Sequence, residues 1–562
     1  MVENNEKVST ELTLALNLNE NERKRTLDLD VGYNDISDEW ELIVKYIGSI
    51  SDLSEEIGFK YTELYSNFAI VYIKNDRVNA LIEEPQIVYI EKTSKVYASQ
   101  NVPSGFRASC METPAMPPYS LTGKGMVVAI IDSGIDYRHE SFIQDGSTRL
   151  LGIWDQTAEG TPPFNYNMGA FFDEESINAS IKKNDSISYD YSGHGTAVAG
   201  IISRCVPDSK LLIVKLDNQN SSGEPNTGAL IQAIDFCVRW SAEYRLPMVI
   251  NLSYGNNYGD HASNSILEEY IDSVANLSRF TIVTGMGNEG ATGRHIQLTL
   301  ENKSWDKAEF LVNQYENSLN IQIWKSYSDI ADIFLILPNG KEIGPFNNYT
   351  EYMSFEVDNE SIYVLNGKPN IYNKNSETYI NISSNNGYIL PGVWSIRFIT
   401  KRIIDGRVNL WLPVAAATSA DVYFLNATEF TTMTIPSTAE KVISVAGYNE
   451  ATLAYAAFSG RGYSSDERIK PDIAAPAVNI ETAYVGGGYT YVSGTSFAAP
   501  FVSSGAAMLM QWGITDGNDV FLYGEKVKAY LISGAKKLPG FNTWPNPYLG
   551  YGALCVKDSI PI

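Results

Sequence analysis

Strand-like apolar runs alternate with segments of helical spacing from Met126 to about Gly290 of this 562-residue chain. The strand-like runs are MVVAIIDSGID, KLLIVKL, PMVINLSYG and FTIVTGMGNEG, and the helical segments between them are HGTAVAGIISRC, TGALIQAIDFCVRWSAEY and NSILEEYIDSVANLS. This alternation predicts an α/β fold with a parallel sheet covered by helices. The side chains at the strand ends are then the first candidates for function.

The helical signal stops between about His295 and Ala427. Short alternating strands replace it there, separated by turn residues such as Pro338-Asn339-Gly340; they include SLNIQIW, IADIFLILPNGKE, ETYINISS, GVWSIRFITKR and RVNLWLP. This pattern predicts an all-β sandwich or jelly roll. The α/β pattern returns with KVISVAGY, KPDIAAPAV and a helix after Ser496, so we expect a β domain inserted in an α/β domain.

Residues 1–98 look like a separate α+β unit. The runs FAIVYI and IVYI predict strands, and DRVNALIEE between them predicts a helix. The polar TSKVYASQNVPSG and the Pro-rich METPAMPPYSLTGKG that follow indicate an exposed linker. Residues 1–100 are predicted to form an N-terminal α+β domain. Residues 101–294 and 429–562 are predicted to form the two parts of an α/β domain, and residues 295–428 the β domain inserted between them.

Composition excludes several classes of partner. The net charge of −24 gives a surface that repels nucleic acid and anionic membranes. The sequence contains no run of 18 apolar residues, which predicts no membrane span, and no signal-peptide core, which predicts synthesis in the cytosol. Four cysteines without metal spacing give no evidence of a disulfide framework and are interpreted as small buried hydrophobes: Cys110, Cys205, Cys237 and Cys555.

Three motifs fall at the ends of predicted elements. Asp132 ends a strand in AIIDSGID, His194 opens a helix in SGHGTAVAG, and Ser496 opens a helix in VSGTSFAAP. Taken alone, the last stretch fits an ordinary helix start equally well, because Ser and Thr cap free N–H groups. Together the three residues supply what acyl transfer needs: a hydroxyl nucleophile, an imidazole base and a carboxylate that orients the base.

In this order, the motifs resemble those of the subtilisin-like serine proteases. The resemblance implies a subtilisin-like fold, an Asp132–His194–Ser496 triad and an oxyanion hole made by Asn288 and the Ser496 N–H. It also implies that substrate pairs by strand addition with the segment Asn251–Gly255. The substrate-binding residues that the resemblance implies are Ser253, Tyr254, Gly255, Gly285, Met286 and Gly287.

The N-terminal unit resembles the propeptide of this family, which is cut off and then inhibits the enzyme as a product-like segment. Because these enzymes favour an apolar side chain four residues before the cut, we predict cleavage between Gln100 and Asn101, which places Tyr97 there. Cleavage after Ser99 would place Val96 there instead. Alternatively, residues 1–98 are an N-terminal domain that is never cut.

The chain departs from the short secreted enzymes in two places. Asp132 and His194 are 194 − 132 = 62 positions apart, about double the usual spacing, and the extra segment around LLGIWDQTAEG is predicted to be a surface loop. IISRCVPDSKLLIVK leaves no room for their calcium loop, and Ser141 stands where they have a carboxylate ligand. We therefore predict that their main calcium site is absent and that no cofactor is needed.

The propeptide, the insertion and GIWDQTAEG together resemble the clostridial spore-germination (Csp) subtilases. This resemblance implies a jelly-roll insertion, a propeptide that stays bound after cleavage, residence in the spore, and activation of a cortex-lytic zymogen by limited proteolysis. A non-catalytic sensor and a general degradative protease remain as alternatives. The other histidines, His139, His261 and His295, are interpreted as loop or surface residues, and Asp136 and Asp190 as capping groups.

Overall fold

The computed structural model describes residues 6–26, 28–95, 105–218, 224–347, 352–418 and 421–561. The chain divides into two compact units. The first, here called the sandwich unit, consists of Met1–Lys95, Asn256–Ile266 and Thr292–Thr431. The second, the α/β unit, consists of Val96–Gly255, Leu267–Ala291 and Thr432–Ile562.

The N-terminal domain of the sandwich unit is an antiparallel sheet with short helices. Its strands are β1 (Tyr33–Asn34), β2 (Glu39–Tyr46), β3 (Lys60–Glu63), β4 (Phe68–Lys74) and β5 (Ile87–Lys92), and its helices are α1 (Thr10–Asn17), α2 (Glu20–Lys24), α3 (Ile50–Leu53) and α4 (Val78–Glu83). The sheet order is β1-β2-β4-β3, with β5 also paired to β2. Strand β4, helix α4 and strand β5 confirm the predicted strand–helix–strand.

The first part of the α/β unit alternates strands and helices as predicted. Its strands are β6 (Val127–Asp132), β7 (Ile143–Gln144), β8 (Ser147–Thr148), β9 (Leu150–Asp155), β10 (Ala170–Asp173), β11 (Lys210–Lys215), β12 (Met248–Leu252) and β13 (Phe280–Gly285). Its helices are α5 (Glu112–Ala115), α6 (Glu174–Lys183), α7 (His194–Cys205), α8 (Thr227–Tyr244) and α9 (Ile266–Ala275).

Among the described residues of the inserted region, the regular elements are strands, apart from one short 3₁₀ turn at Ala415–Ala417. The strands are β14 (His295–Thr299), β15 (Trp305–Val312), β16 (Ser318–Ser326), β17 (Ile330–Ile336), β18 (Glu342–Phe346), β19 (Tyr352–Val357), β20 (Glu360–Asn366), β21 (Asn375–Ser384), β22 (Gly392–Arg402), β23 (Arg407–Trp411) and β24 (Tyr423–Phe424).

The second part of the α/β unit completes the central sheet and supplies α10, a helix in which every residue is buried. The elements are β25 (Ile443–Asn449), β26 (Ala454–Tyr455), β27 (Ile473–Pro476), β28 (Ile480–Ala483), β29 (Tyr489–Val492), α10 (Thr495–Met510), α11 (Gly524–Ser533) and α12 (Val556–Ser559). The central sheet runs β10-β9-β11-β6-β12-β13-β25-β26, with β27 on β25. Strands β9, β11, β6, β12, β13, β25 and β27 pair in parallel, so the fold class is confirmed.

Two sheets of the insertion pack face to face because each strand alternates apolar and polar residues. Leu319, Ile321 and Ile323 of β16 point inward and share one core with Phe310 of β15 and Trp394 of β22. One sheet has the order β14-β23-β16-β21-β20-β19 and the other β18-β17-β22-β15-β24. The insertion is therefore a β-sandwich.

The N-terminal domain covers the outer face of the six-stranded sheet. Leu365 and Tyr379 of the sandwich belong to the same apolar cluster as Leu12. The Tyr379 hydroxyl donates to Asp28 at 2.8 Å, so a buried carboxylate joins the two parts. This face is bound by both apolar packing and hydrogen bonds.

Two sequence predictions are wrong in the α/β unit. The segment after residue 150 is not a surface loop: β9 lies in the central sheet beside β11, with β10 as its antiparallel edge and α6 after it. Cys110 and Cys555 form a disulfide. For Cys205 and Cys237, the interpretation as small buried hydrophobic residues is confirmed, since both are free and buried. Burial raises the pKa of the Cys205 thiol to about 12.

Candidate active site

Asp132 and His194 form a buried pair at the carboxyl end of the central sheet. Asp132 is the last residue of β6, and His194 is the first residue of α7 after Gly193, whose φ of 77° suits glycine. Their atoms Nδ1 and Oδ1 are 2.7 Å apart, and both side chains are at most 2% exposed. Because Nδ1–H donates to the carboxylate, a neutral imidazole presents Nε2 as a proton acceptor.

Asp190 fixes the start of α7, as a capping group should. Its carboxylate accepts hydrogen bonds from the N–H groups of Gly193 and Thr196, at 2.9 and 2.8 Å. The Ser133 hydroxyl also donates to it at 2.8 Å and accepts from the Gly195 N–H at 3.0 Å. Since Ser133 follows Asp132 directly, this network sets the distance between the carboxylate and the imidazole. The interpretation of Asp190 is confirmed.

Ser496 lies in the first turn of α10, after Gly494 with φ 148°. Its hydroxyl donates to the Ser253 carbonyl at 3.3 Å, and Phe497, the next residue, lies with its ring 5.1 Å from the His194 ring. The side chain is buried. The first turn of α10, which bears Ser496, therefore lies beside the His194 ring, and a helix N-terminus is an environment that favours a developing negative charge.

Asn288 follows strand β13 and contacts the same helix N-terminus. Its Oδ1 accepts from the Thr495 N–H at 3.1 Å and lies 3.2 Å from the Thr495 hydroxyl, which donates to it. With its oxygen occupied in this way, the amide leaves its Nδ2 hydrogens as donors. Asn288 is therefore oriented as a donor beside Ser496.

Two segments frame the site, Ser253–Gly255 after β12 and Gly285–Gly287 at the end of β13. A Cβ on Gly255 would come within 2.6 Å of the Thr434 hydroxyl, and one on Gly287 within 2.5 Å of the same side chain. Thr434 therefore occupies the space between the two segments. Tyr254 and Met286 are buried; the Met286 N–H donates to the Val445 carbonyl, and the Met286 carbonyl accepts from the Thr434 N–H. Burial, with the Asp132 charge second, raises the pKa of Tyr254 well above its usual range.

The sequence predicts that the remaining histidines are loop or surface residues. His139 and His261 do lie in loops, whereas His295 begins strand β14; all three are buried, so the surface alternative is wrong for each. His261 and His295 stack on Trp411, with ring centroids 4.2 and 4.7 Å from it. The predicted cleavage residues Tyr97, Gln100 and Asn101 lie outside the described residues.

Sequence reasoning missed Thr434 and His139. Thr434 is far along the chain from either segment that it separates, and a threonine without a motif gives no signal. His139 lies seven residues after Asp132 and resembled a loop residue because its partners belong to a distant hairpin.

Two protein-family models match the chain. Residues 123–388 and 382–552 match the subtilase family, and residues 6–93 match the Csp protease B prodomain. The chain belongs to the subtilase family. Its N-terminal domain is accordingly called the prodomain below.

The solved CspB protease of Clostridium perfringens has a similar structure: the TM-score is 0.75 at 33% identity, over 81% of this chain and 96% of that one. Subtilisin E of Bacillus subtilis is 26% identical over 239 residues, 41% of this subtilase and 51% of subtilisin E. The PII-type proteinase of Lactococcus lactis subsp. cremoris is 23% identical over 474 residues, 76% of this chain and 24% of that protein. The chain thus spans about half or less of these two curated relatives.

No helix among the described residues is long and apolar enough to cross a membrane. Within the same residues, no group of three or more His, Cys, Asp or Glu side chains could hold a metal ion. The absence of the subtilisin-type calcium site stays a prediction from the sequence.

Proposed function

We propose that this subtilase is an autoprocessing serine endopeptidase whose triad is Asp132, His194 and Ser496. The observation that carries the proposal is the buried 2.7 Å Asp132–His194 pair beside the helix N-terminus that bears Ser496. Ser496 Oγ attacks the scissile carbonyl while Nε2 of His194 takes its proton, and Asp132 stabilises the imidazolium that forms. His194 then gives the proton to the leaving amine.

The oxyanion of the tetrahedral intermediate would accept hydrogen bonds from the Asn288 amide and the Ser496 N–H. The hydrogen bond from Thr495 to Asn288 Oδ1 supports this role, because it fixes which end of the amide donates. Removing one such donor lowers turnover about 100–1,000-fold. The proposed reaction uses no cofactor.

Ser496→Ala tests the triad, with Ser504→Ala as the matched control, since Ser504 is buried in the same helix and donates to the Pro500 carbonyl. A fluorophosphonate should label the wild type and the Ser504→Ala variant and should leave Ser496→Ala unlabelled. The proposal is wrong if the wild type stays unlabelled after its prodomain is removed, or if all three chains label alike. The first result would favour the non-catalytic sensor.

The self-cleavage proposed for this subtilase falls between Gln100 and Asn101. Thr434 supports a narrow pocket for the side chain before the cut, because it fills space between Gly255 and Gly287 and offers a hydroxyl to a polar group such as the Gln100 amide. N-terminal sequencing of the purified protein should read Asn-Val-Pro-Ser. A sequence that begins at Gln100 would assign the cut to Ser99 instead.

The prodomain is proposed to stay bound without a covalent link after cleavage. Hydrogen bonds between the prodomain and the sandwich support this: Tyr379 to Asp28, and Gln322 to Glu11 at 2.7 Å. Two fragments that co-elute in gel filtration but separate under denaturing conditions are expected. A single full-length band in both the wild type and Ser496→Ala would rule out autoprocessing.

The proposed substrate is a zymogen, in particular the proform of a cortex-lytic enzyme, and the proposed location is the bacterial spore. The similarity to CspB and to its prodomain supports this narrower role. Purified protease should cut a candidate proform at one bond and leave casein largely intact. Rapid digestion of casein would favour a general degradative protease.

A further inference from the structure

The hairpin of β28 and β29 leads directly into the helix that bears Ser496. Only Ser493 and Gly494 separate the end of β29 from α10. The turn of the hairpin contains three consecutive glycines, Gly486, Gly487 and Gly488, with φ values of 89°, 106° and 76°. Glycine has little conformational preference of its own, so contacts from elsewhere must hold this turn in one conformation.

Those contacts come from the segment that follows Asp132. The Gly486 N–H donates to Asp136 Oδ2 at 2.9 Å, and His139 Nε2 lies 2.6 Å from the Gly488 carbonyl oxygen. The Tyr489 hydroxyl donates to Glu140 at 2.9 Å, and its ring meets the His139 ring edge to face at 5.4 Å. One short segment thus binds both sides of the glycine turn.

Both nitrogens of His139 are used. Nδ1 accepts the Ser141 N–H at 3.1 Å, so a neutral ring carries its hydrogen on Nε2 and donates it to Gly488. The side chain is buried. His139 therefore links the loop after Asp132 to the strand that leads to Ser496.

The same hairpin touches the helix of His194. A Cβ on Gly193 would lie 3.3 Å from Val485 in the glycine turn, and the Thr482 hydroxyl donates to the Ala197 carbonyl of α7. Movement of the turn would therefore displace the start of α7 as well as the start of α10.

The geometry points to His139 as a positioning residue: its bond to Gly488 holds the glycine turn so that Ser496 stays aligned with His194. This inference rests on the proposed function of Ser496. It predicts that loss of the bond slows the chemical step and leaves substrate binding unchanged, because His139 bonds to the hairpin backbone while the two framing segments stay intact. Misplacement of a reacting group by about 1 Å can cost about 100-fold in rate.

Three substitutions separate the two bonds of the ring. His139→Gln can still donate to Gly488 from the position of Nε2, His139→Asn can still accept from Ser141 but is too short to reach Gly488, and His139→Ala does neither. Phe142→Leu is the control for lost packing, because Phe142 is buried in the same turn as His139 and bears no hydrogen-bonding group.

The measurement is the concentration dependence of fluorophosphonate labelling, well below each variant's melting temperature. We expect the maximal labelling rate to fall about 10–100-fold in His139→Asn and His139→Ala, and less than about 3-fold in His139→Gln and Phe142→Leu, with the half-saturating probe concentration unchanged. The inference is wrong if His139→Asn labels like the wild type, or if Phe142→Leu falls as far.

Amide hydrogen exchange of residues 484–496 provides a readout that does not depend on catalysis. Exchange should be faster in His139→Asn than in His139→Gln. An unlabelled wild type would contradict the proposed function alone, whereas equal exchange in these two variants would contradict the role of His139.

Discussion

The two outer faces of the β-sandwich have the same alternation of inward and outward residues, but one face is covered by protein and the other faces solvent. On the six-stranded sheet, outward residues such as Asn320, Gln322 and Tyr379 are buried beneath the prodomain and the segment Asn256–Ile266. On the five-stranded sheet, outward residues such as Trp305 and Lys401 face solvent. The covered face uses mostly neutral amides and hydroxyls, whereas the open face uses pairs of opposite charge.

This difference follows from the cost of burying charge. A neutral amide is satisfied under cover by two or three hydrogen bonds, whereas an ion must also lose its hydration. On the open face, Arg397 pairs with Glu342 at 2.6 Å and Lys401 with Asp332 at 2.7 Å. The chemical type of the outward residues therefore tells a covered sheet face from an open one, even though the alternation is the same.

The largest expected difference in unfolding free energy is between the loss of an aromatic ring from the covered face and the loss of one from the open face. Tyr379→Ala removes a fully buried ring and a donor to Asp28, so unfolding free energy should fall by about 3–5 kcal/mol. Trp305→Ala removes a ring that is 63% exposed and should change it by about 0.5 kcal/mol or less. Denaturant titration of both variants in an uncleaved Ser496→Ala background measures this; equal losses would mean that the faces do not differ.

Acid should weaken the covered face next. Burial lowers the pKa of His295 from 6.5 to about 4, so the folded protein resists a proton that the unfolded chain accepts. Stability should be complete above pH 6.5 and should fall as the pH drops towards 4, by about 3 kcal/mol in the limit. His295→Gln should flatten this part of the pH profile, and thermal melts from pH 8 to 4 would reveal an unchanged slope if the idea is wrong.

A carboxylate under the prodomain should change the stability less than His295 does, and with the opposite dependence on pH. Burial, and secondly the charge of Glu11, raise the pKa of Glu377 well above its usual range. A raised carboxyl pKa gives stability that is complete at low pH and is lost as the pH rises through the folded-state value. Glu377→Gln should therefore stabilise the protein by about 1 kcal/mol at pH 8 and by little at pH 4.

Glu342→Gln is the matched control, because Glu342 pairs with Arg397 on the open face. It should bring no gain at pH 8. A gain of the same size in both variants would attribute the effect to net charge rather than to burial.

The smallest effect is expected for an ion pair on the open face. Lys401 is 55% exposed, so Lys401→Ala should cost less than about 1 kcal/mol, and added salt should remove most of that difference. Melting temperatures in low and high salt test this. A larger and salt-independent loss would mean that the pair is shielded by something bound to that face.

Local sequence signals predicted the elements that bear the candidate site. Strand β6 ends at Asp132, α7 begins at His194 and Ser496 lies in the first turn of α10, because each has a dense apolar pattern and a recognisable terminus. Strand β9 was missed because the short run LLGIWD, followed by turn residues, is stabilised by its neighbour β11 rather than by its own pattern.

Features that depend on distant residues could not be predicted. His295 is buried because it stacks on Trp411, which also stacks on His261. The sequence around residue 295 contains no signal that predicts either partner. Thr434 occupies the space between Gly255 and Gly287 for the same reason. The Cys110–Cys555 bond joins residues 445 positions apart, and four cysteines allow three pairings that spacing alone cannot separate.

That disulfide makes most of the chain into a covalent ring. The ring begins at residue 110 and closes in the stretch just before helix α12, so it contains every candidate catalytic residue and the whole sandwich insertion. The prodomain lies outside it. A cut at Gln100–Asn101 would therefore separate the prodomain covalently from the ring, whereas Cys110 and Cys555 would still join the two parts of the α/β unit.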